Sequence, residues 1–357
     1  MSIAIDLLFM IAIVFLAFVL LSAVFGNINN AIGGFEGLLG ITPSNGAYPY
    51  STNTSGNVST LTVNPVTINQ SVLAGYVLNL INNDRAKYGL SPVTLSNEAS
   101  AQQHSESMLQ NNYFSHWDLL GMKPYMRYTL VGGNGSVTEN VAYESARQCG
   151  ALGCTGTINP EASLSAMEYS MMYNDSICCN NGHRDNILDP NHNQVSIGVA
   201  YNSSTIYLTE DFIDNYISWS ANTPTYGSND EVYLDGNVTP EYPISQIYVS
   251  YDPPVVNYTS HSVPSGPYSY GTDVAGVVKS SMYYYKNIST IIADTYYTRG
   301  SAFSISFNIK NLISQYGAGE YTVMFILNSS KTNGTFIGST YTIFIDKQGN
   351  QYIPTYV

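Results

Sequence analysis

Near Ile217 the hydrophobic pattern of the chain changes period, which limits it to a fold with segregated helices and strands. Upstream, Leu73, Tyr76, Val77, Leu80 and Ile81 recur at i, i+3, i+4, i+7 and i+8, one apolar stripe of a helix over 71–88. Gly89 supplies its stop. Ser96 is expected to cap a second helix running to about Tyr113. Pro160 opens a third, through Ala162–Asn174, and Gly182–Leu188 reads as a short fourth. Gln194–Tyr201 and Thr205–Ile213 alternate as strands about a turn at 202–204. Downstream come short β-rich runs: Glu231–Leu234, Ile247–Tyr251, Ala275–Val278, Met282–Tyr285, Ser301–Ile309, Gly319–Leu327 and Gly338–Asp346. Turn residues separate them, the signature of a β-sandwich.

The amino-terminal end imposes a second constraint. Leu7–Phe25 carries no charge and, at about 1.5 Å per residue, is long enough to cross a bilayer core. The alternative is a cleaved signal peptide cut near Ser22–Val24. Its apolar region would be too long, however, and a basic start is missing, since the first Lys or Arg is Arg85. Residues 27–66, rich in Gly, Asn, Ser and Thr, read as a flexible stalk. Eleven Asn-x-Ser/Thr sequons follow the apolar span and favour a body outside the cell. With a net charge of −13, the chain lacks the basic footprint that nucleic acid requires. In an exported chain the four cysteines, Cys149, Cys154, Cys178 and Cys179, read as two disulfides. Bridging the neighbours Cys178 and Cys179 would strain the peptide, so cross-pairing with Cys149 and Cys154 is expected. The rival is a four-thiolate zinc site, whose usual C-x-x-C spacings are absent.

Three short segments concentrate metal- and proton-handling groups: YFSHW at 113–117, TEN at 138–140 and NGHRDNILDP at 181–190. They supply His116, Glu139 and His183 from a chain with only five histidines. Their order, with NNDRAKYGLSPVTLS before them and VSIGVAY after, resembles the CAP superfamily of cysteine-rich secretory, antigen 5 and pathogenesis-related 1 proteins, in its prokaryotic SCP-like branch. Thr138 departs from the family pattern, which has glycine there. The resemblance covers about residues 67–216 and implies an α-β-α sandwich. The expected architecture is therefore α+β: an N-terminal transmembrane helix (1–26), a stalk (27–66), a CAP-like domain (67–216) and an Ig-like all-β sandwich (217–357).

The resemblance also implies a cleft lined by His116, Glu139 and His183, able to hold a divalent metal, Zn²⁺ or similar. For a second carboxylate it leaves Glu210 and Glu168. His104 and His192 read as a helical and a loop histidine outside the site. The contrary reading is that Glu139 only pairs with Arg184 or Arg127. Neither an H-E-x-x-H motif nor a G-x-S-x-G elbow is present, and Ser115 cannot face its sequence neighbour His116. The expected function is a single-pass, membrane-held extracellular module that binds a glycan, lipid or protein. The alternatives are a metal-dependent hydrolase using Glu139 and His183, and a structural surface-layer component.

Overall fold

Helix α1 (Gln70–Lys87) begins where the Asn69 side chain accepts the Ser71 N–H at 3.0 Å. Its expected stripe buries Leu73, Val77 and Ile81, and Gly89 follows its end at φ +72°. Residues 69–355 are described by this computed structural model, apart from 147, 151–152, 177–178, 228, 330 and 349–350. The apolar span Leu7–Phe25 and the stalk lie outside the described residues. Among those described, no helix is long and apolar enough to cross a membrane.

After a two-residue strand, β1 (Thr94–Leu95), helix α2 (Ser100–Asn111) starts later than expected. Its N-cap is Ala99, without a side-chain bond. Ser96 Oγ reaches only the Glu98 N–H, at 3.5 Å, so Ser96 is not the cap. Helix α3 (Pro124–Leu130) and strand β2 (Ser136–Ser145) follow, then a small hairpin of β3 (Gln148–Gly150) and β4 (Gly153–Thr155). Helix α4 (Pro160–Tyr173), with Pro160 in its first turn as expected, leads to the short α5 (Gly182–Ile187) and the hairpin β5 (Gln194–Tyr201) and β6 (Thr205–Asp214). The four larger-sheet strands run in the order β1-β5-β6-β2, which leaves β2 at an edge.

Side chains alternate across that sheet. The β2–β6 register pairs Glu139 with Asp211 on one face and Asn140 with Glu210 on the other. Helix α2 docks on the first face. Gly198 makes this possible, because a Cβ there would lie 2.1 Å from the Ala101 carbonyl oxygen. Helices α1 and α4 cover the second face with an apolar core that includes Leu73, Val77, Leu164, Val199 and Phe212. The first basic residue of the chain, Arg85, is fully buried and donates to the carbonyls of Ser91, Ile187, Asp189 and His192. It ties α1 to the segment after α5.

The downstream half is two sheets around one core. One runs β12 (Ser289–Ile292), β11 (Thr272–Val278), β10 (Ile244–Asp252), β15 (Gly319–Ser329), β16 (Gly334–Gln348), β17 (Gln351–Thr355). The other runs β13 (Thr295–Arg299), β14 (Ala302–Asn308), β9 (Glu231–Val238), β7 (Ile217–Trp219), with β8 (Thr225–Tyr226) also on β9. Both contribute to one core, through Val232, Leu234 and Ile305 from one sheet and Val249, Val323 and Ile343 from the other. A short helix, α6 (Lys310–Tyr316), closes one end of it with Leu312 and Ile313. Of the seven expected runs, Met282–Tyr285 is not a strand. It lies in the crossover that the parallel β11–β12 pair requires, with Met282 81% and Tyr284 73% exposed. Val66–Val357 group as one compact unit.

Candidate functional site

Of the expected site residues, His116 lies in the irregular segment after α2, Glu139 inside β2 and His183 in the first turn of α5. The chain leaves α2 through Asn112 in the left-handed region, φ +52°. It then buries Tyr113 and brings His116 over strand β2. His116 Nδ1 lies 2.9 Å from Glu139 Oε1. The other Glu139 oxygen accepts from Arg127 Nη2 at 2.5 Å, while Arg127 Nη1 donates to the backbone carbonyl of His116 at 2.7 Å. One arginine thus fixes both the histidine and its carboxylate. Of the two arginines proposed as partners for Glu139, Arg127 is the one that takes the role.

The electrostatics follow from that clamp. Burial alone would raise the Glu139 pKa, but Arg127, His104 and His116 together pull it down to about 2. With both oxygens engaged and no exposed side-chain surface, Glu139 is built to orient His116. Across the strand pair, Asp211 is pushed well above the usual carboxylate range by burial and by the Glu139 charge, and it accepts from Ser100 Oγ at 2.5 Å. His104, from α2, is fully enclosed and bonds through Nε2 to the Ser115 carbonyl at 2.8 Å. Burial and the Arg127 charge lower it to about 3, which keeps it neutral. It supports the His116 segment from beneath.

His183 stands in the first turn of α5 and takes a different carboxylate. Its Nδ1 is 2.6 Å from Asp175 Oδ1, and Asp175 Oδ2 accepts the His183 and Arg184 N–H groups. Asp175 was not foreseen. Its sequence signal is weak, a lone acid eight residues upstream in the turn after α4, where an acid can cap the next helix. Asn140 was also overlooked. Buried in β2, it donates to the His183 carbonyl at 3.1 Å and accepts from Asn186 at 2.9 Å, so it fastens α5 to the sheet.

Glu210 and Glu168 face each other on the side of the sheet opposite Glu139. Asn140 Nδ2 donates to Glu210 Oε2 at 3.3 Å, while Glu210 Oε1 and both Glu168 oxygens have no other polar partner. Burial raises both, Glu210 to about 7, and the nearby Glu210 charge raises Glu168 further. Such a pair shares a proton. His192 lies in the loop before β5, as expected, and it is 4% exposed with both ring nitrogens bonded.

The structure therefore joins His116 to Glu139 and His183 to Asp175. Among the described residues, the group whose metal-type ligand atoms lie within 4.8 Å of one another is Asp175, Cys179 and His183. Cys179 is disulfide-bonded, so its sulfur is no thiolate ligand. Cys178 and the side chains of Cys149 and Cys154 lie outside the described parts. The backbones of Cys149 and Cys154 are paired in the β3–β4 ladder.

The connection 253–271, between the neighbouring strands β10 and β11 of one sheet, completes the surroundings. Tyr268 sets its ring 5.1 Å from that of His116, and its hydroxyl accepts the Glu139 N–H at 2.9 Å. Ser115 Oγ donates to the Pro264 carbonyl at 2.6 Å, and Tyr270 stacks on Tyr125 at 4.5 Å. Lys123 and Tyr125 both bond Asp252, at 2.6 and 2.5 Å.

The family model described as CAP, Cysteine-rich secretory protein family, matches residues 78–218. Among solved structures, an extracellular protein containing a SCP domain from Bacillus anthracis str. Ames is similar, at 20% identity and TM-score 0.31, over 40% of this chain and 41% of that one. The CAP domain of Enterococcal PrgA is similar at 14% identity and TM-score 0.29, over 40% of this chain and 61% of that one. The chain thus covers less than two thirds of either. Comparison with curated proteins gives no match. The motif segments and the three-layer fold built on them fall where the family model matches: residues 78–218 are similar to the CAP, cysteine-rich secretory protein family.

Proposed function

We propose that this protein is an extracellular, membrane-held surface module that binds its ligand through the imidazoles of its CAP domain, with the downstream sandwich as an Ig-like accessory unit. One observation carries the reading. His116 and His183 each spend Nδ1 on a carboxylate, Glu139 and Asp175, which leaves Nε2 of each ring for an outside partner. A carboxylate on the far nitrogen fixes the tautomer and strengthens the ring as a ligand or acceptor. The donor set suits a divalent metal only in part: two imidazole nitrogens are available, and Glu139 would orient His116 rather than ligate. The hydrolase reading is weaker. A general base needs a pKa near the working pH and a free oxygen, and Glu139 sits at about 2 with both oxygens engaged.

The test is calorimetric titration of the folded body with ZnCl₂, for the wild type and the His116→Ala, His183→Ala double variant. The wild type should bind and the double variant should lose at least tenfold in affinity. Equal affinities would show that these imidazoles do not form the binding surface.

A further inference from the structure

On the face of β2 away from Glu139, three side chains form a second constellation. Thr138 Oγ1 lies 3.1 Å from His192 Nε2, and His192 Nδ1 lies 2.8 Å from Asp214 Oδ1. Asp214 can only accept as a carboxylate, so Nδ1 carries the proton. Nε2 is then the lone-pair nitrogen, and the Thr138 hydroxyl donates to it. The ring has little freedom to turn. It is bonded at both ends and stacks on Phe212 at 5.5 Å and 23°. Its own carbonyl accepts from the buried Arg85. Asp214 and His192 are buried, at 5% and 4%, while Thr138 is partly exposed.

Strand geometry places these groups together. Thr138 pairs with Phe212 and Ser136 with Asp214 in the β2–β6 ladder, so Thr138, Phe212 and Asp214 share a face. Thr138 stands where the family pattern has glycine, and a β-branched residue in a strand has a stiff χ1, which keeps its hydroxyl aimed. A hydroxyl within reach of an imidazole that is oriented by a buried carboxylate is the arrangement of an activated nucleophile.

We propose that Thr138 is a nucleophile for acyl transfer, with His192 as its base and Asp214 as the group that positions His192. This is a site separate from the imidazoles of His116 and His183. The substrate class is a small, uncharged carboxylic ester. Entry is limited by the partial exposure of Thr138, and the buried Glu210, bonded to its neighbour Asn140 on that face, disfavours an anionic substrate. Thr138 Oγ attacks the acyl carbon as its proton passes to His192 Nε2. The tetrahedral adduct collapses, the C–O bond to the alcohol breaks, and the leaving alkoxide takes that proton. Water repeats the sequence on the threonyl ester, giving the carboxylic acid and restoring Thr138.

The experiment is labelling of the folded protein with a fluorophosphonate probe, with the adduct mapped by peptide mass spectrometry and the fold of each variant checked by thermal melting. The wild type should carry the adduct on Thr138. Thr138→Val should abolish it, and Thr138→Ser, a less hindered hydroxyl, should keep or speed it. Asp214→Asn, close to isosteric, should slow it at least a hundredfold. A folded wild type with no adduct on Thr138 overturns the proposal. An unchanged labelling rate in Asp214→Asn also overturns it, because the threonine would then react without help from the relay.

Discussion

The hydroxyl of Tyr268 accepts the backbone N–H of Glu139 at 2.9 Å, across 129 residues of sequence. Strand β2 is an edge, and the bond occupies one of its outward backbone groups. Tyr270 takes another by donating to the Val137 carbonyl at 3.3 Å. The residue that holds His116 is therefore itself held from the other half of the chain. Tyr268→Phe should lower stability by about 0.5–1.5 kcal/mol through the lost bond, and Tyr268→Ala by more, because the ring against His116 is also lost. Urea denaturation midpoints measure both. Two variants as stable as the wild type would mean that the connection merely rests on the surface.

Arg127 should be far less replaceable. Arg127→Met leaves Glu139 charged and enclosed without its partner, a loss of about 3–5 kcal/mol. Adding Glu139→Gln removes that charge, so the double variant should be more stable than Arg127→Met alone. Chemical denaturation of the three proteins decides it. If the losses simply add, the two side chains are not coupled.

Stability should peak in mildly acidic solution. Glu139 is depressed from 4.5 to about 2, so its contribution is complete above pH 4.5 and is lost as pH falls toward 2. Glu210 is raised from 4.5 to about 7, so its contribution is complete below pH 4.5 and is lost as pH rises toward 7. Glu320, raised to about 7 by burial, adds to the second limb. Thermal melts from pH 2 to 8 should rise and then fall, and Glu210→Gln should flatten the upper limb. An upper limb unchanged by that substitution would show that Glu210 and Glu168 do not share a proton.

Mass mapping of the unreduced protein should find Cys179 in a bridge and no free thiol. Reduction should cost about 2–5 kcal/mol and loosen the turn that carries Asp175, because Cys179 lies beside Asp175 and His183. Four alkylatable thiols in the native protein would contradict this.

The legible parts of this fold were the local ones. A 3.6-residue stripe ending at Gly89 needs nothing beyond its own residues to specify α1. Pro160 and the 202–204 turn, where Asn202 Oδ1 accepts the Ser204 and Thr205 N–H groups, are equally self-contained. Ser96 misled because a serine before a helix is a common cap, whereas here β1 still pairs with β5 at that point. Met282–Tyr285 misled because tyrosines favour strands, but no face of that run is buried. At the candidate site the histidines, Glu139 and the choice of Arg127 or Arg184 beside it could be read, whereas Asp175 and Tyr268 could not. Asp175 bonds His183 only through a turn, and Tyr268 arrives from a distant connection.

Strand β7 spans Ile217–Trp219, and the family match stops at residue 218, inside it. Trp219 packs edge-on against Phe303 and Phe325 in the downstream core, while its indole N–H donates to the Asn134 carbonyl beside β2. A recombinant fragment trimmed at the homology limit would expose a bare strand margin and strip an indole from its seat. Such a fragment should associate through that margin, while the intact body melts in a single transition. For this chain, the stretch that matches the family and the piece that folds have different ends.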